Sequence, residues 1–355
     1  MIRLSLPIRF RSRIATATPS RTQRARRAVG VALACVLLLH VGMIVALETV
    51  KSHWRDPEYG WRIAALRELD RTRGERKLIV AVGSSRTQMG FRPSVMSDSV
   101  AMYNLAQAGS GPVQVLLNVK RMLAAGVKPN AILMEIMPTS LMQDGTLEQF
   151  THDGASRLGL ADIRHLESYT DNPSSLYRRW ATYRVLPWHT YRFLLLSHWL
   201  PGFLPWQNRV DFQWRMLDCN GWLPYPFETI PAETRERGRA HARQQYEWIL
   251  QNYHISPLPD RAIRDVIQLC RRENIRLAFY RMPESPAFRA WYTPQANATI
   301  SAYLQDLTRE YGTPVVDASD WLPEDAFADG HHLMKPGATA FSERFGKEFL
   351  NDWIE

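Results

Sequence analysis

Hydrophobic positions along this chain fall into three patterns, each predicting a different element. The first is one continuous run, 28–47, twenty residues without a formal charge and with His40 as their only strongly polar side chain. About twenty apolar residues suffice for an α-helix to cross a bilayer, so a transmembrane helix is expected there. The second pattern is short apolar runs bounded by turn residues, at 77–82, 101–105, 131–136, 275–281 and 314–317. Such runs read as strands buried on both faces. The third is helical periodicity at 113–125, stopped by Gly126, at 260–273, at 296–311, and in a closing segment after Pro336. Proline suits the first turn of a helix.

Strands alternating with helices predict an α/β domain with a central parallel sheet of about five strands, covered on both faces. Right-handed crossovers place all the strand C-terminal ends on one edge, where ligand sites of such sheets lie. The alternation breaks at about 141–258. There seven tryptophans (Trp180, Trp188, Trp199, Trp206, Trp214, Trp222 and Trp248) stand among arginines and tyrosines. Helices are expected at 158–165, 175–183, 190–199 and 232–251. This insertion is either a lid or acceptor-binding cap over the active edge, or a tryptophan-rich packing layer. Its composition also suits sugar stacking or membrane-surface contact, and 194–206 is apolar enough for the latter. The expected organisation is a basic tail at 1–27, the span at 28–47, a polar stalk with a helix at 48–75, and the α/β domain with its insertion at 76–355.

Charge refines this picture. The formal net charge is +9, yet the eight arginines of 1–27 (Arg3, Arg9, Arg11, Arg13, Arg21, Arg24, Arg26 and Arg27) account for all but one of it. A near-neutral body argues against nucleic-acid binding. Arginines before an apolar run remain on the cytoplasmic side, so the body is expected to face outward, in a periplasmic space. A cleaved signal peptide is the competing reading, but its apolar stretch is ordinarily shorter and Ile44-Val45-Ala46 is a poor cleavage site. Cys35, Cys219 and Cys270 have no metal-ligand spacing; Cys219 and Cys270 either pair or stay free and buried.

Two motifs carry candidate chemistry. Gly83-Ser84-Ser85-Arg86-Thr87 directly follows the first strand run, and Asp329-Gly330-His331-His332 lies near the end. A serine hydroxyl needs a base to take its proton and donors to hold the oxyanion. A tight strand-to-helix turn exposes Ser85 and leaves its own N–H free for that role. His332 is the candidate base and Asp329 its orienter, with His331 a bystander. The alternatives are a helix N-cap for the serine and a structural role for the histidine. Arg86, Arg281 and Glu284 fall at the active edge as candidate substrate contacts, or as members of ion pairs; Glu135 is one acid that Arg86 would reach. Trp222, after the turn at 218–221, suits either sugar stacking or core packing.

Taken together, the two motifs resemble the SGNH (GDSL-like) hydrolases, whose first block is G-D-S-x-T. Ser85 matches the nucleophile, and Ser84 stands where the family has aspartate. The resemblance covers about 76–140 and 259–350 and implies a three-layer flavodoxin-like fold. It also implies that Gly109, in the run 104–111, donates its N–H to the oxyanion, and that the last block supplies Asp329 and His332. The family's G-x-N-D block is missing: Glu135-Ile136-Met137-Pro138-Thr139-Ser140 stands there, with Thr139 near the asparagine position. The chain is thus more similar to the membrane-anchored subset that includes alginate O-acetylation and teichoic-acid D-alanylation proteins. That subset implies acyl transfer, such as O-acetylation, or ester hydrolysis on an extracytoplasmic polysaccharide through an acyl-serine, with a membrane-bound O-acyltransferase as partner and no cofactor or metal. The alternative is a non-catalytic polysaccharide-binding or envelope-assembly protein that keeps the fold.

Overall fold

The computed structural model describes residues 20–50, 52–97, 99–142 and 156–354. Arg3, Arg9, Arg11 and Arg13 of the basic tail, and 143–155 at the start of the insertion, lie outside the described residues.

Five strands form one sheet: β1 (Leu78–Val82), β2 (Ala101–Asn104), β3 (Ala131–Glu135), β4 (Arg276–Arg281) and β5 (Val315–Asp317). Their order is β2-β1-β3-β4-β5 and every neighbouring pair is parallel. The chain therefore winds one way from β1 to β2 and the other way from β3 onward. The crevice at such a reversal, outside the strand C-termini, is where ligands bind in open parallel sheets. The alternating side chains of β1 explain why its sequence is a continuous apolar run. Leu78, Val80 and Val82 enter one core, while Ile79 and Ala81 enter the other. On the first side pack helices at Pro112–Ala124, Pro257–Arg272 and Pro294–Tyr311; on the second packs Lys335–Phe345. The second core is aromatic. Phe345 lies 5.4 Å from Phe91, 5.6 Å from Tyr280 and 5.7 Å from Phe341, ring centre to ring centre.

At the N-terminal end, α1 (Arg21–Val45) starts from a capping box between Ser20 and Gln23 and continues through a wider turn at Ala46–Val50. It is long and apolar enough to cross a membrane, and almost all of its apolar window is exposed. Its last turn is not free, however. Met43 and Leu47 are buried against Tyr191 and Leu195 of the insertion. Glu48 follows at once and accepts ion pairs from Arg184 at 2.5 Å and Arg55 at 3.3 Å.

Residues 48–75, expected as a polar stalk, are instead packed onto the domain. The helix α2 (Pro57–Thr72) buries Tyr59, Leu66 and Arg62. The Arg62 guanidinium donates to the carbonyls of Asn104 at 2.9 Å and Gly221 at 2.6 Å. A polar helix thereby serves the core through an arginine, which charge patterning reads as surface. The insertion supplies α3 (Leu160–Leu166), α4 (Pro173–Val185), α5 (Pro187–Thr190), α6 (Arg192–Trp199) and α7 (Ala232–Gln251). All three cysteines are free thiols: Cys35 and Cys219 are exposed and Cys270 is buried, so the 219–270 pairing does not occur.

Phe345 is fully buried and links the closing helix to β4 through its contact with Tyr280. Phe345→Ala is expected to cost about 3–5 kcal/mol, checked by denaturant unfolding of the detergent-solubilised chain; a loss near zero would mean that this cluster relaxes around the gap.

Candidate active site

β1 ends at Val82 and the chain turns at once. Gly83 is required there: a Cβ would lie 2.5 Å from a carboxylate oxygen of Glu135 and 2.5 Å from the Thr87 hydroxyl. The turn opens a short helix, Ser85–Gly90, capped by the Ser84 side chain, which accepts from the Arg86 N–H. Ser85 is thus the first helical residue. Among the described residues, its N–H is given to no protein acceptor.

The carboxylate beneath the turn is the group that sequence reasoning missed. Glu135, buried at the end of β3, accepts from the Ser84 N–H at 2.7 Å, the Ser84 hydroxyl at 3.1 Å and the Thr87 hydroxyl at 2.7 Å. Thr87 also meets the Tyr280 hydroxyl at 2.8 Å. Because Thr87 gives its proton to the carboxylate, Tyr280 is the donor in that pair. Asn104, at the end of β2, donates to the carbonyls of Thr87 at 2.8 Å and Phe91 at 2.7 Å, fastening the short helix from its far side. The only sequence signal for either residue was a polar side chain closing an apolar strand run.

Ser85 and the Asp329–His332 segment come together. Ser85 Oγ lies 2.8 Å from His332 Nε2, and His332 Nδ1 lies 2.7 Å from Asp329 Oδ2. The other Asp329 oxygen accepts the backbone N–H groups of His332 at 2.9 Å and His331 at 3.2 Å. Burial opposes ionisation of Asp329, but the His332 imidazole, its hydrogen bond, His331 and the backbone N–H together hold the carboxyl well below its usual range. The anion fixes Nδ1–H of His332 toward itself and leaves Nε2 to accept from serine.

His331 is buried, with its ring centre 4.0 Å from that of His332 and 5.2 Å from that of Tyr246. Burial, then the neighbouring His332, Arg86 and His241, push its pKa well below the usual imidazole value, against the opposing pull of Asp329. Asp329, His331 and His332 bring potential ligand atoms within 4.8 Å of one another. Asp329 and His332 are already bonded to each other, so a cation there would break the Asp–His pair.

The remaining candidates divide. The loop after β2 is stitched to the serine turn by the Gln107 N–H, which donates to the Gly83 carbonyl at 3.1 Å. Two residues on, Gly109 is exposed in a left-handed conformation, φ 69°, which glycine adopts freely. Thr139 is buried and its hydroxyl has no partner among the described residues; such a group costs about 1–3 kcal/mol when nothing fills it. Arg86 pairs with Glu284 at 2.6 Å, not with Glu135, and its guanidinium stands 4.9 Å from the Phe288 ring centre. Glu284 also accepts from Tyr292 at 2.8 Å, and Arg281 pairs with Asp317 at 2.8 Å. Arg86, Arg281 and Glu284 therefore form a buried charge network behind the serine. Trp222 is core: it is buried, its indole N–H donates to the Met89 carbonyl at 2.6 Å, and Arg92 stacks on its ring.

A family model described as a protein of unknown function, DUF1574, matches residues 59–181, and a second family model matches 236–354. The first stretch holds Ser85 and Glu135, the second Asp329 and His332. No curated protein matches the chain.

The depressed pKa of His331 ties stability to pH. The unfolded chain takes up a proton at about pH 6.5 that the folded chain refuses. Stability is therefore whole above that pH and falls as pH drops below it. In His331→Phe the melting temperature of the chain is expected to change less between pH 7 and pH 5 than in wild type. Equal slopes would mean that His331 is charged in the fold.

Proposed function

We propose that this chain is a membrane-anchored serine acyltransferase or esterase of the SGNH (GDSL-like) type, acting on an extracytoplasmic polysaccharide or other envelope polymer. The observation that carries the reading is the unbroken relay from Ser85 through His332 to Asp329, with spacings of 2.8 and 2.7 Å, at the C-terminal edge of the sheet. Supporting it are the parallel order β2-β1-β3-β4-β5, which suits a three-layer flavodoxin-like fold, and a serine seated at the reversal of that order. The membrane anchor is α1, with its arginines on the cytoplasmic side and the domain in the periplasm.

In this mechanism Ser85 Oγ attacks the acyl carbon while its proton passes to His332 Nε2. The carbonyl electrons move to oxygen, and the oxyanion is held by the N–H groups of Ser85 and Gly109 and by the Thr139 hydroxyl. Collapse expels the donor's leaving group, which takes the proton from His332. The acyl-Ser85 ester then meets the acceptor, a sugar hydroxyl or water. His332 removes the acceptor proton, the new ester or acid forms, and the proton returns to Ser85 Oγ. Asp329 stays ionised throughout and stabilises the imidazolium. Glu135 positions the serine turn without touching substrate. A membrane-bound O-acyltransferase fits as the source of the acyl group.

A fluorophosphonate probe tests this on the full chain in detergent. Wild type is expected to label at Ser85, Ser85→Ala and His332→Ala not to label, and Asp329→Asn to label about 10⁴-fold more slowly. Thr139→Val is expected to slow labelling about 10²-fold. A well-folded wild type that does not label would overturn the enzyme reading in favour of a binding or assembly role.

A further inference from the structure

The segment 185–206 carries an unusual amount of bare apolar surface. Leu186, Trp188, Trp199, Leu200, Phe203 and Trp206 are all exposed, Phe203 at 80% and Trp206 at 67% of full accessibility. Single exposed apolar side chains are ordinary, but a cluster of this kind marks an interaction surface. The cluster is also fixed in place. The helix α5 packs against α1, and Tyr191 and Leu195 bury Met43 and Leu47 of that helix. Trp199 packs edge-on against Trp54, with ring centres 5.2 Å apart, just beyond the end of α1. The Glu48–Arg184–Arg55 ion pairs lock the junction.

The geometry of that junction names the occupant. A span at 28–47 is about 30 Å long and fills the hydrocarbon layer with no residues to spare. Met43 lies inside the span, about 6 Å of helix rise short of Leu47. The insertion grips the helix at Met43, so its neighbouring surface stands at the depth of the span's last turn. We infer that the 185–206 surface is a membrane-interface collar, lying in the outer headgroup region of the same bilayer that α1 crosses. Its composition matches that place. Tryptophans and other aromatic residues with apolar bodies and polar edges gather at the membrane–water boundary. Arg192, exposed between them and 4.3 Å over the Phe193 ring, is suited to a lipid phosphate. The inference rests on the reading of α1 as a span.

The full chain, with Cys35→Ser and Cys219→Ser to remove its exposed thiols, is reconstituted in phosphatidylcholine–phosphatidylglycerol vesicles. An environment-sensitive fluorophore is placed in turn at Phe203→Cys, Trp206→Cys, Trp248→Cys and Val36→Cys. Trp248 is an exposed tryptophan of α7, outside the 185–206 segment, and Val36 lies mid-span. Labels at 203 and 206 are expected to be blue-shifted and quenched by spin-labelled lipid of shallow depth, while the label at 248 stays open to aqueous iodide. Labels at 203 and 206 that behave like 248, with 36 still quenched by lipid, would overturn the collar and leave the span intact. Labels at 203 and 206 shielded from both quenchers would mean that protein, a second copy or another partner, covers the surface instead of lipid. A label at 36 that lipid does not quench would remove the span and the collar together.

Discussion

A carboxylate taken out of water has to be met by donors, and the buried Glu135 finds three of them within one tetrapeptide. That demand shapes everything at the upper edge of the sheet. The acid closes β3 and its donors follow β1, so the contact clamps the two strands between which the winding order reverses. The clamp leaves no volume for a side chain at position 83. It also orients the Ser84 hydroxyl so that its oxygen remains available to the Arg86 N–H, and the short helix begins one residue later. Tyr280 extends the same contact to β4 through Thr87. Three adjacent strands thus agree on where Ser85 stands.

What the primary structure disclosed was local. Strand β1 announces itself because both its faces are buried, which makes Leu78–Val82 an uninterrupted apolar run. The helices at 160–166, 173–185, 192–199 and 232–251 fall close to their expected places. The Asp329–His332 pair was legible because its bond closes within one turn, and the backbone N–H groups that Asp329 accepts come from the next residues along. Ser85 stood out because a glycine and a hydroxyl directly follow a strand.

What stayed hidden was partnership over distance. Nothing near Arg86 marks Glu284, 198 positions away, as its counter-ion in preference to Glu135. Arg62 looks like a surface residue of a polar helix because its reward, two backbone carbonyls from 104 and 221, belongs to other parts of the fold. Trp222 followed a turn and so had the look of a sugar platform, yet its indole is spent on Met89 and its ring on Arg92. The exposed apolar surface of 185–206 is a fourth case. Its apolar residues are apparent in the chain, but only the grip on Met43 and Leu47 gives them a height along α1.

The bond between Ser85 and His332 joins residues 247 apart, whereas the carboxylate that seats the serine turn, Glu135, closes β3, and Tyr280 reaches the same contact from β4. The serine's seat and its imidazole partner therefore come from opposite ends of the α/β domain. The helix that follows His332, Lys335–Phe345, packs on the short serine helix, and its Ser342 hydroxyl donates to the Gly90 carbonyl. A disturbance of that closing helix therefore reaches the serine's seat as well as its imidazole partner.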